Sequence, residues 1–300
     1  MSEVQATKPQ PDAAPPSRKK VLFIHAFQLP TTATYGLRPA SGSATKEQQM
    51  MNYEDYKDAL TDVDWDIDPG PMATHGDWPV CTPSEFLIAG ANRLAHVTSA
   101  CSSGAYDGVV LLGGGDPGFM EALEIGAAYG VPIVSCGFAQ MQIARSVSRS
   151  FSVIDISETH IARIRRLIKD YGFEGTCKSL RSVEFPLPFP PDFNQRPIHL
   201  ERAAAERGER SEMLERAVEQ AVAAVREDGA DSLIIGCSAA YWLRAPLEMR
   251  LKAEGLDTPV LEGYRSAISM LKLLIEMKAR IDIGLPGQRS MPPRRSFIRA

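Results

Sequence analysis

The chain has 300 residues, which is enough for two domains of ordinary size. Its formal net charge of −4 is mild, its pI is near 5.8, and its charges do not cluster in the body of the chain, so nothing predicts a nucleic-acid or anionic-membrane partner. The apolar runs are far shorter than the roughly 20 residues of a membrane span, and the polar, proline-rich N-terminus is unlike a signal peptide. We therefore expect a cytoplasmic protein.

Strand and helix patterns alternate in the first half of the chain. Residues 1–18 lack apolar content and are expected to form a disordered leader. In chain order, we then predict a strand at 21–25, a long loop at 28–49, a helix at 53–63, a strand at 65–67, a second long loop at 72–83, a helix at 84–100 and a strand at 108–112. Loops of this length in a compact domain often serve as lids or binding loops. The strand at 108–112 leads into Gly113-Gly114-Gly115-Asp116-Pro117-Gly118, which we call the glycine turn.

The second half repeats the alternation. The patterns predict a strand at 151–157, a helix at 159–171, a strand at 182–186, a long helix at 198–228 with a break near Gly208, a strand at 232–236 and a helix at 264–277 that returns to the first domain. Residues 284–300 are expected to be a flexible tail. The strand at 232–236 leads into Gly236-Cys237-Ser238, which we call the cysteine turn.

The two turns occupy matching places, which indicates an internal duplication. Each turn follows an apolar strand, and each is followed by a short buried strand that begins at a proline, Pro132 or Pro259. The fold class is therefore predicted as α/β, with two pseudo-symmetric, doubly wound parallel-sheet domains and the active site in the cleft between them. The first domain is predicted to hold residues 19–135 plus 263–283, and the second residues 136–262.

The cysteine turn is the first candidate for chemistry. Backbone N–H groups at a helix start favour anions, so they would activate the Cys237 thiol and let Gly236 and Ser238 hold a carboxylate or enolate. The alternative is a buried structural cysteine. Cys136 also ends a strand and is the rival thiol, but the duplication matches it to the crossing between domains.

The glycine turn satisfies the dinucleotide pattern G-x-G-x-x-G, but its context argues against a nucleotide. The following strand ends in Ser135-Cys136-Gly137 rather than in an acidic residue, and Pro117 removes an N–H group that a pyrophosphate would use. We therefore expect Gly113, Gly114 and Gly115 to form a nest for a small carboxylate or amide, with no cofactor.

Three further side chains lie at predicted strand ends. Ser157 and Thr159 could donate hydrogen bonds to a substrate carboxylate, although a helix N-cap also explains hydroxyls at this place. His25 could reach the cleft as a donor or acid, or it could be structural. The remaining histidines and the five cysteines show no metal-ligand spacing, so the sequence predicts no metal and gives no role to the following residues: His75, His96, His160 and His199.

With these residues placed, the chain resembles the aspartate/glutamate/hydantoin racemase superfamily, and most closely its hydantoin and allantoin racemase branch. The resemblance covers about residues 20–280. It rests on Gly115-Asp116-Pro117-Gly118, Phe151-Ser152-Val153, Asp228-Gly229-Ala230-Asp231, Ile234-Ile235-Gly236-Cys237 and Pro259-Val260-Leu261-Glu262-Gly263, in this order.

The resemblance implies cofactor-free acid/base chemistry at a carbon next to a carbonyl, with a small molecule as the substrate. In family racemases two cysteines face the carbon from opposite sides. Cys237 matches the second cysteine, whereas the first would fall at Gly113, which has no side chain. A glycine cannot supply an acid or base.

Several functions are compatible with a glycine in place of the first cysteine. Another group, such as His25, Cys136 or a loop residue, could replace the thiol in a racemase. The enzyme could instead protonate one face only, as in the arylmalonate decarboxylase branch, or Cys237 could be a nucleophile in a hydrolase or lyase. We place a racemase or isomerase acting on a small carboxylate, hydantoin or amide first. A non-catalytic binding protein is the alternative of another class, and a homo-oligomer is compatible with the sequence.

Overall fold

In the computed structural model, residues 18–33, 44–190 and 197–281 are described. The predicted leader up to residue 17, the middle of the loop at 28–49 and the predicted tail at 284–300 lie outside the described residues. The described chain forms an α/β fold with two four-stranded parallel sheets, each flanked by helices. This is the predicted fold class, and two sheets of one kind in one chain agree with the duplication inferred from the two turns.

The first sheet has the strand order β2-β1-β3-β4. Its strands are β1 (Lys19–Ile24), β2 (Val63–Asp68), β3 (Gly108–Leu111) and β4 (Ile133–Ser135). They pair in parallel, with Ile24 of β1 opposite both Asp68 of β2 and Leu111 of β3. The associated helices are α1 (Lys46–Gln49), α2 (Pro83–Ser102) and α3 (Phe119–Tyr129). A capping box fixes the start of α2, because Thr82 and Glu85 satisfy each other's backbone N–H groups.

The second sheet has the strand order β6-β5-β7-β8, the same order relative to the chain as the first sheet. Its strands are β5 (Phe151–Asp155), β6 (Cys177–Ser182), β7 (Ser232–Ile235) and β8 (Val260–Leu261). The remaining helices of the described chain, in chain order, are α4 (Cys136–Val147), α5 (Glu158–Asp170), α6 (Ile198–Glu206), α7 (Glu212–Arg226), α8 (Arg244–Ala253) and α9 (Gly263–Glu276). The break predicted near Gly208 is confirmed, since α6 and α7 are separate helices.

Two predicted elements differ from the structure. The segment predicted as a helix at 53–63 forms two short 3-10 helices, Tyr53–Asp55 and Lys57–Leu60, because Asn52 before them is left-handed and Tyr56 between them leaves the helical region with φ −141°. The strand predicted at 182–186 lies earlier, at β6. Glu184 has φ +51°, which interrupts the regular strand, although the backbone N–H of Val183 still donates to Asp155 of β5.

The helix α9 packs against β3 and β4 of the first sheet and against α4. One large core cluster extends through both halves, from Phe23 and Trp65 to Leu233 and Leu247. The two sheets are therefore joined by a continuous apolar core rather than by a flexible linker. Across the described part of the chain, none of the helices has the length and apolar character needed to cross a membrane.

Candidate active site

The cysteine turn lies where β7 ends, beside the end of β5. Ser232, Leu233, Ile234 and Ile235 are all buried, as expected for a central strand of a parallel sheet, and Cys237 follows two residues later. Cys237 precedes a 3-10 helix, Ser238–Leu243, and is 7% exposed. Gly113 follows the end of β3 by the same two residues, so the two turns hold equivalent places at the carboxyl ends of their sheets.

A small cavity of about 80 Å³ lies between the two turns. The first half of the chain borders it with Ala26, Phe27, Met51, Pro79, Val80, Phe86, Gly113, Gly114, Gly115 and Pro117. The second half borders it with His160, Leu187, Cys237, Ser238 and Ala239. Both halves thus form the walls, which agrees with a site in the cleft between domains. The volume is below the roughly 300 Å³ at which pockets for drug-sized ligands begin, so it suits the reacting part of a small molecule.

The glycine turn needs its glycines for three different reasons. Gly113 has φ +114°, and a Cβ there would have only Ala26 nearby, at 3.9 Å. A Cβ on Gly114 would stand 1.7 Å from the carbonyl oxygen of Gly236. A Cβ on Gly115 would stand 2.3 Å from the ring of Phe86. The turn therefore packs tightly except at Gly113, where the backbone, not crowding, favours glycine.

His160 lies beside Cys237, although the sequence analysis gave it no role. Ser157 caps α5 by accepting a hydrogen bond from the His160 backbone N–H, which fixes the first turn of the helix. The Nδ1 atom of His160 is 3.5 Å from Oδ1 of Asp155 at the end of β5. The Cys237 sulfur, a ring nitrogen of His160 and a carboxylate oxygen of Asp155 lie within 4.8 Å of one another.

The charges around His160 favour its protonated form. Burial alone lowers the pKa of His160, but the Cys237 thiolate and the hydrogen bond and charge of Asp155 outweigh burial and raise that pKa well above 6.5. A protonated imidazole between a cysteine sulfur and a carboxylate is placed to stabilise negative charge on that sulfur.

Arg163 connects the two halves at the rim of the cavity. It lies one helical turn after His160 on α5, and its Nε donates a hydrogen bond to the carbonyl oxygen of Gly115 at 2.9 Å. Its guanidinium lies over the ring of Phe86, 5.3 Å from the centroid. Arg163, a residue of the second half, therefore contacts both the glycine turn and the Phe86 ring in the cavity wall.

The structure places the other predicted residues as follows. Gly236 does not border the cavity but contacts Gly114 and Asp155 closely. Ser157 is the N-cap of α5, and the exposed Thr159 lines a separate groove beside α2 and α5. His25 is 2% exposed, lies before the cavity residues Ala26 and Phe27, and places its Nε2 atom 3.0 Å from the carbonyl oxygen of Gln49.

Cys136, the rival thiol, lies in the core rather than on the cavity. Its Sγ donates a weak hydrogen bond to the carbonyl oxygen of Leu111, and burial raises its pKa well above the ordinary value of 9.0. Among the described residues that border the cavity, Cys237 and His160 are the two with acid/base side chains.

Sequence reasoning missed His160 and Asp155, the residues behind the thiol. Their local signal was present: an acidic residue ends a strand, and a histidine follows in the first turn of the next helix. The spacing of the histidines along the chain, however, carries no metal-ligand pattern. His160 meets Cys237, which lies 77 residues later in the chain, because β5 and β7 are neighbours in the sheet.

Comparisons with known proteins identify the family of this chain. The family model described as Asp/Glu/Hydantoin racemase matches residues 87–271. A hydantoin racemase of Rhizobium meliloti is 29% identical over 160 residues, which make up 53% of this chain and 56% of that protein, so the match spans little more than half of the relative.

Solved structures show the same fold. An allantoin racemase from Klebsiella pneumoniae has a TM-score of 0.62 at 20% identity, covering 87% of this chain and 89% of its own. An allantoin racemase from Pseudomonas fluorescens has the same TM-score at 18% identity, covering 87% and 92%. Because the family model covers more than half of the residues, this chain belongs to the Asp/Glu/hydantoin racemase family.

Proposed function

We propose that the protein is a racemase-type isomerase that needs no cofactor and moves a proton at a carbon next to a carbonyl, with Cys237 as its acid/base. One observation carries the proposal: Cys237, with His160 and Asp155 behind it, borders the same small cavity as the glycine turn. Membership of the racemase family supports the same class of chemistry.

In this mechanism the Cys237 thiolate takes the proton from the substrate carbon. The electron pair of the broken C–H bond moves into the adjacent carbonyl and forms an enolate. Backbone N–H groups of Gly113, Gly114, Gly115 and Ser238 are the proposed donors to the enolate oxygen, where they would stabilise developing charge. The His160 imidazolium stabilises the thiolate before the transfer. A water molecule on the Gly113 side protonates the opposite face of the carbon, and the Cys237 thiol then returns its proton to solvent, which completes the isomerisation.

The cavity walls suit a substrate with an apolar substituent and little charge. Phe27, Met51, Val80, Phe86 and Leu187 contribute apolar surface, and no lysine or arginine is among the described residues that border the cavity. A hydantoin, an amide or a small monocarboxylate fits such walls better than a dicarboxylate, whose second charge would be buried with no lysine or arginine beside it. A hydantoin-type ring is the preferred candidate within this class.

A one-sided lyase is the second candidate function, and Gly113 favours it. The two acid/base side chains on the described cavity wall, Cys237 and His160, both come from the second half of the chain. The wall at Gly113 carries no side chain that could protonate the opposite face. A decarboxylase of substituted malonates would need a single proton donor, although a malonate carries the second carboxylate that these walls fit less well. Carbon dioxide leaves with cleavage of the C–C bond, and the Cys237 thiol protonates the resulting enediolate.

One experiment separates these functions. The protein is incubated in deuterated water with single enantiomers of substituted hydantoins, amino acids and amides, and separately with substituted malonates, while deuterium uptake, optical rotation and carbon dioxide are followed. Deuterium uptake with loss of rotation identifies a racemase, whereas carbon dioxide with one chiral product identifies the lyase.

Cys237→Ser tests the role of the thiol, and Cys177→Ser, at β6 away from the cavity, is the matched control. Turnover should be lost only in the first variant. If Cys237→Ser retained full turnover, the acid/base role would be wrong. If the wild-type protein produced no exchange and its Cys237 reacted with iodoacetamide as slowly as an ordinary thiol, a non-catalytic binding protein would be the better description.

A further inference from the structure

Three different metal-ligand groups meet behind the cavity. Asp155, His160 and Cys237 each offer one ligand atom, and the three atoms lie within 4.8 Å of one another. The carboxylate and imidazole already approach to 3.5 Å. With bonds of about 2.0 Å to nitrogen or oxygen and about 2.3 Å to sulfur, one ion can contact three atoms at such separations after small side-chain rotations.

One polar atom of this cluster points to a ligand. Oδ2 of Asp155 is buried without a hydrogen-bond partner among the described residues, and the Asp155 side chain is 1% exposed. Leaving a buried carboxylate oxygen unsatisfied is unfavourable, so this atom marks a site for a ligand. Gly236 allows this placement of the carboxylate, because a Cβ there would stand 2.1 Å from Oδ2 of Asp155.

The donor set selects the kind of ion. One thiolate, one imidazole and one carboxylate are borderline-soft ligands that suit Zn²⁺, whereas Ca²⁺ and Mg²⁺ need sets of oxygen ligands. Cys237 and His160 also border the cavity, which leaves a fourth tetrahedral position for water or a small molecule. The spacing of these residues along the chain gave no sign of a metal, because the cluster forms only through the pairing of β5 with β7.

We propose that Asp155, His160 and Cys237 form an inhibitory Zn²⁺ site. With Cys237 as thiolate and His160 as imidazolium, as in the proposed mechanism, binding forms one coordinate bond from each residue and releases to solvent the proton on the ligating nitrogen of His160. The sulfur lone pair that would accept a substrate proton is then occupied by the ion. Zinc and turnover of the substrate are therefore mutually exclusive, while zinc binding itself does not depend on which reaction the protein catalyses.

The test measures metal uptake directly. The full chain is stripped of metal and titrated with Zn²⁺ in competition with a chromophoric chelator, and separately with Co²⁺ as a spectroscopic probe. We expect one ion per chain, a tetrahedral Co²⁺ spectrum and a thiolate-to-cobalt charge-transfer band. Cys237→Ser should remove that band, and Cys237→Ser, His160→Ala and Asp155→Asn should each weaken Zn²⁺ binding at least about tenfold.

A matched control uses a second His–Asp pair of the chain. His96 Nδ1 lies 2.8 Å from Asp68, in a partly exposed pair that is not part of the cysteine turn. His96→Ala should leave zinc affinity unchanged, and circular dichroism should show that all variants are folded. The proposal would be overturned if the wild-type protein bound no zinc, or if folded His160→Ala and Cys237→Ser variants bound it with wild-type affinity. In either case the proposed proton-transfer function would stand untouched, since it is measured without metal.

Discussion

Gly114 and Gly236 contact each other backbone to backbone across the two halves of the chain. A Cβ on Gly114 would stand 1.7 Å from the Gly236 carbonyl oxygen and 2.9 Å from its carbonyl carbon. The glycine turn, which contains the missing thiol position Gly113, and the cysteine turn are thus packed directly together. This contact sets the separation between the two walls of the cavity, so the geometry of the site depends on two residues without side chains.

Gly114→Ala should therefore disrupt the site more than its small size suggests. The new methyl group would meet main-chain atoms, which cannot rotate away, and overpacking of this kind costs about 1 to 3 kcal/mol. We expect a lower midpoint of thermal unfolding and a loss of turnover. Gly175→Ala is the control, because a Cβ at Gly175 would have nothing within 4 Å. Equal unfolding midpoints and activities for the two variants would contradict the contact.

Removing the His160 imidazole should make the thiolate form of Cys237 less stable. In His160→Gln, Cys237 loses the cation whose pKa is raised well above 6.5 by the thiolate and Asp155 against the effect of burial. We expect slower alkylation of Cys237 by iodoacetamide near neutral pH and a fall in turnover of about 10² to 10⁴, the usual range for an acid/base group. Asp155→Asn should act in the same direction.

His96→Gln is the matched control for this prediction, since His96 also pairs with an aspartate but far from the cysteine turn in the chain. It should leave both the alkylation rate and turnover unchanged. Wild-type alkylation of Cys237 in a folded His160→Gln variant would show that the imidazole does not support the thiolate.

The sequence carried enough information for the architecture and for one wall of the site. The apolar strands and their turns are local features, so the parallel sheets, Cys237 and the glycine turn could be found by spacing alone. Strand order could not be found this way, and it is strand order that brings Asp155 and His160 to Cys237. The roles considered for Ser157 and His25 depended on where their side chains lie. Ser157 caps a helix, and His25 approaches the Gln49 carbonyl.

Restoring a thiol at Gly113 should strengthen two-sided chemistry. The position borders the cavity, and a Cβ there has space, with Ala26 the nearest neighbour at 3.9 Å. The backbone φ of +114° costs a side chain about 1 to 3 kcal/mol, so Gly113→Cys should be less stable than wild type but folded. We expect racemisation of the optically active substrate to become faster.

Gly113→Ala carries the same backbone strain without the thiol and should not gain activity. Chiral chromatography of the product measures the effect, and iodoacetamide labelling checks that the new thiol is accessible. If a folded, labelled Gly113→Cys variant racemised no faster than Gly113→Ala, the turn would not face the reacting carbon.

Glu262 should make the protein less stable as the pH rises towards neutrality. This carboxyl is 3% exposed, and burial raises its pKa from 4.5 to about 7, although it accepts hydrogen bonds from the N–H groups of Tyr264 and Arg265. Below pH 4.5 the group is protonated in both the folded and the unfolded chain, so its contribution to stability is fully present. Between pH 4.5 and about 7 the unfolded chain loses the proton while the folded chain keeps it, and the free energy of unfolding falls by about 3 kcal/mol.

Glu262→Gln keeps an oxygen that can accept from the start of α9 but cannot ionise, so it should remove this part of the pH dependence. The measurement is urea unfolding of both proteins at a series of pH values from 4.5 to 8, with the exposed Glu174→Gln as control. The stability difference between Glu262→Gln and wild type should shift in favour of the variant as pH rises and level off above 7. A difference that is constant over this range would mean that Glu262 titrates alike in the folded and unfolded chains.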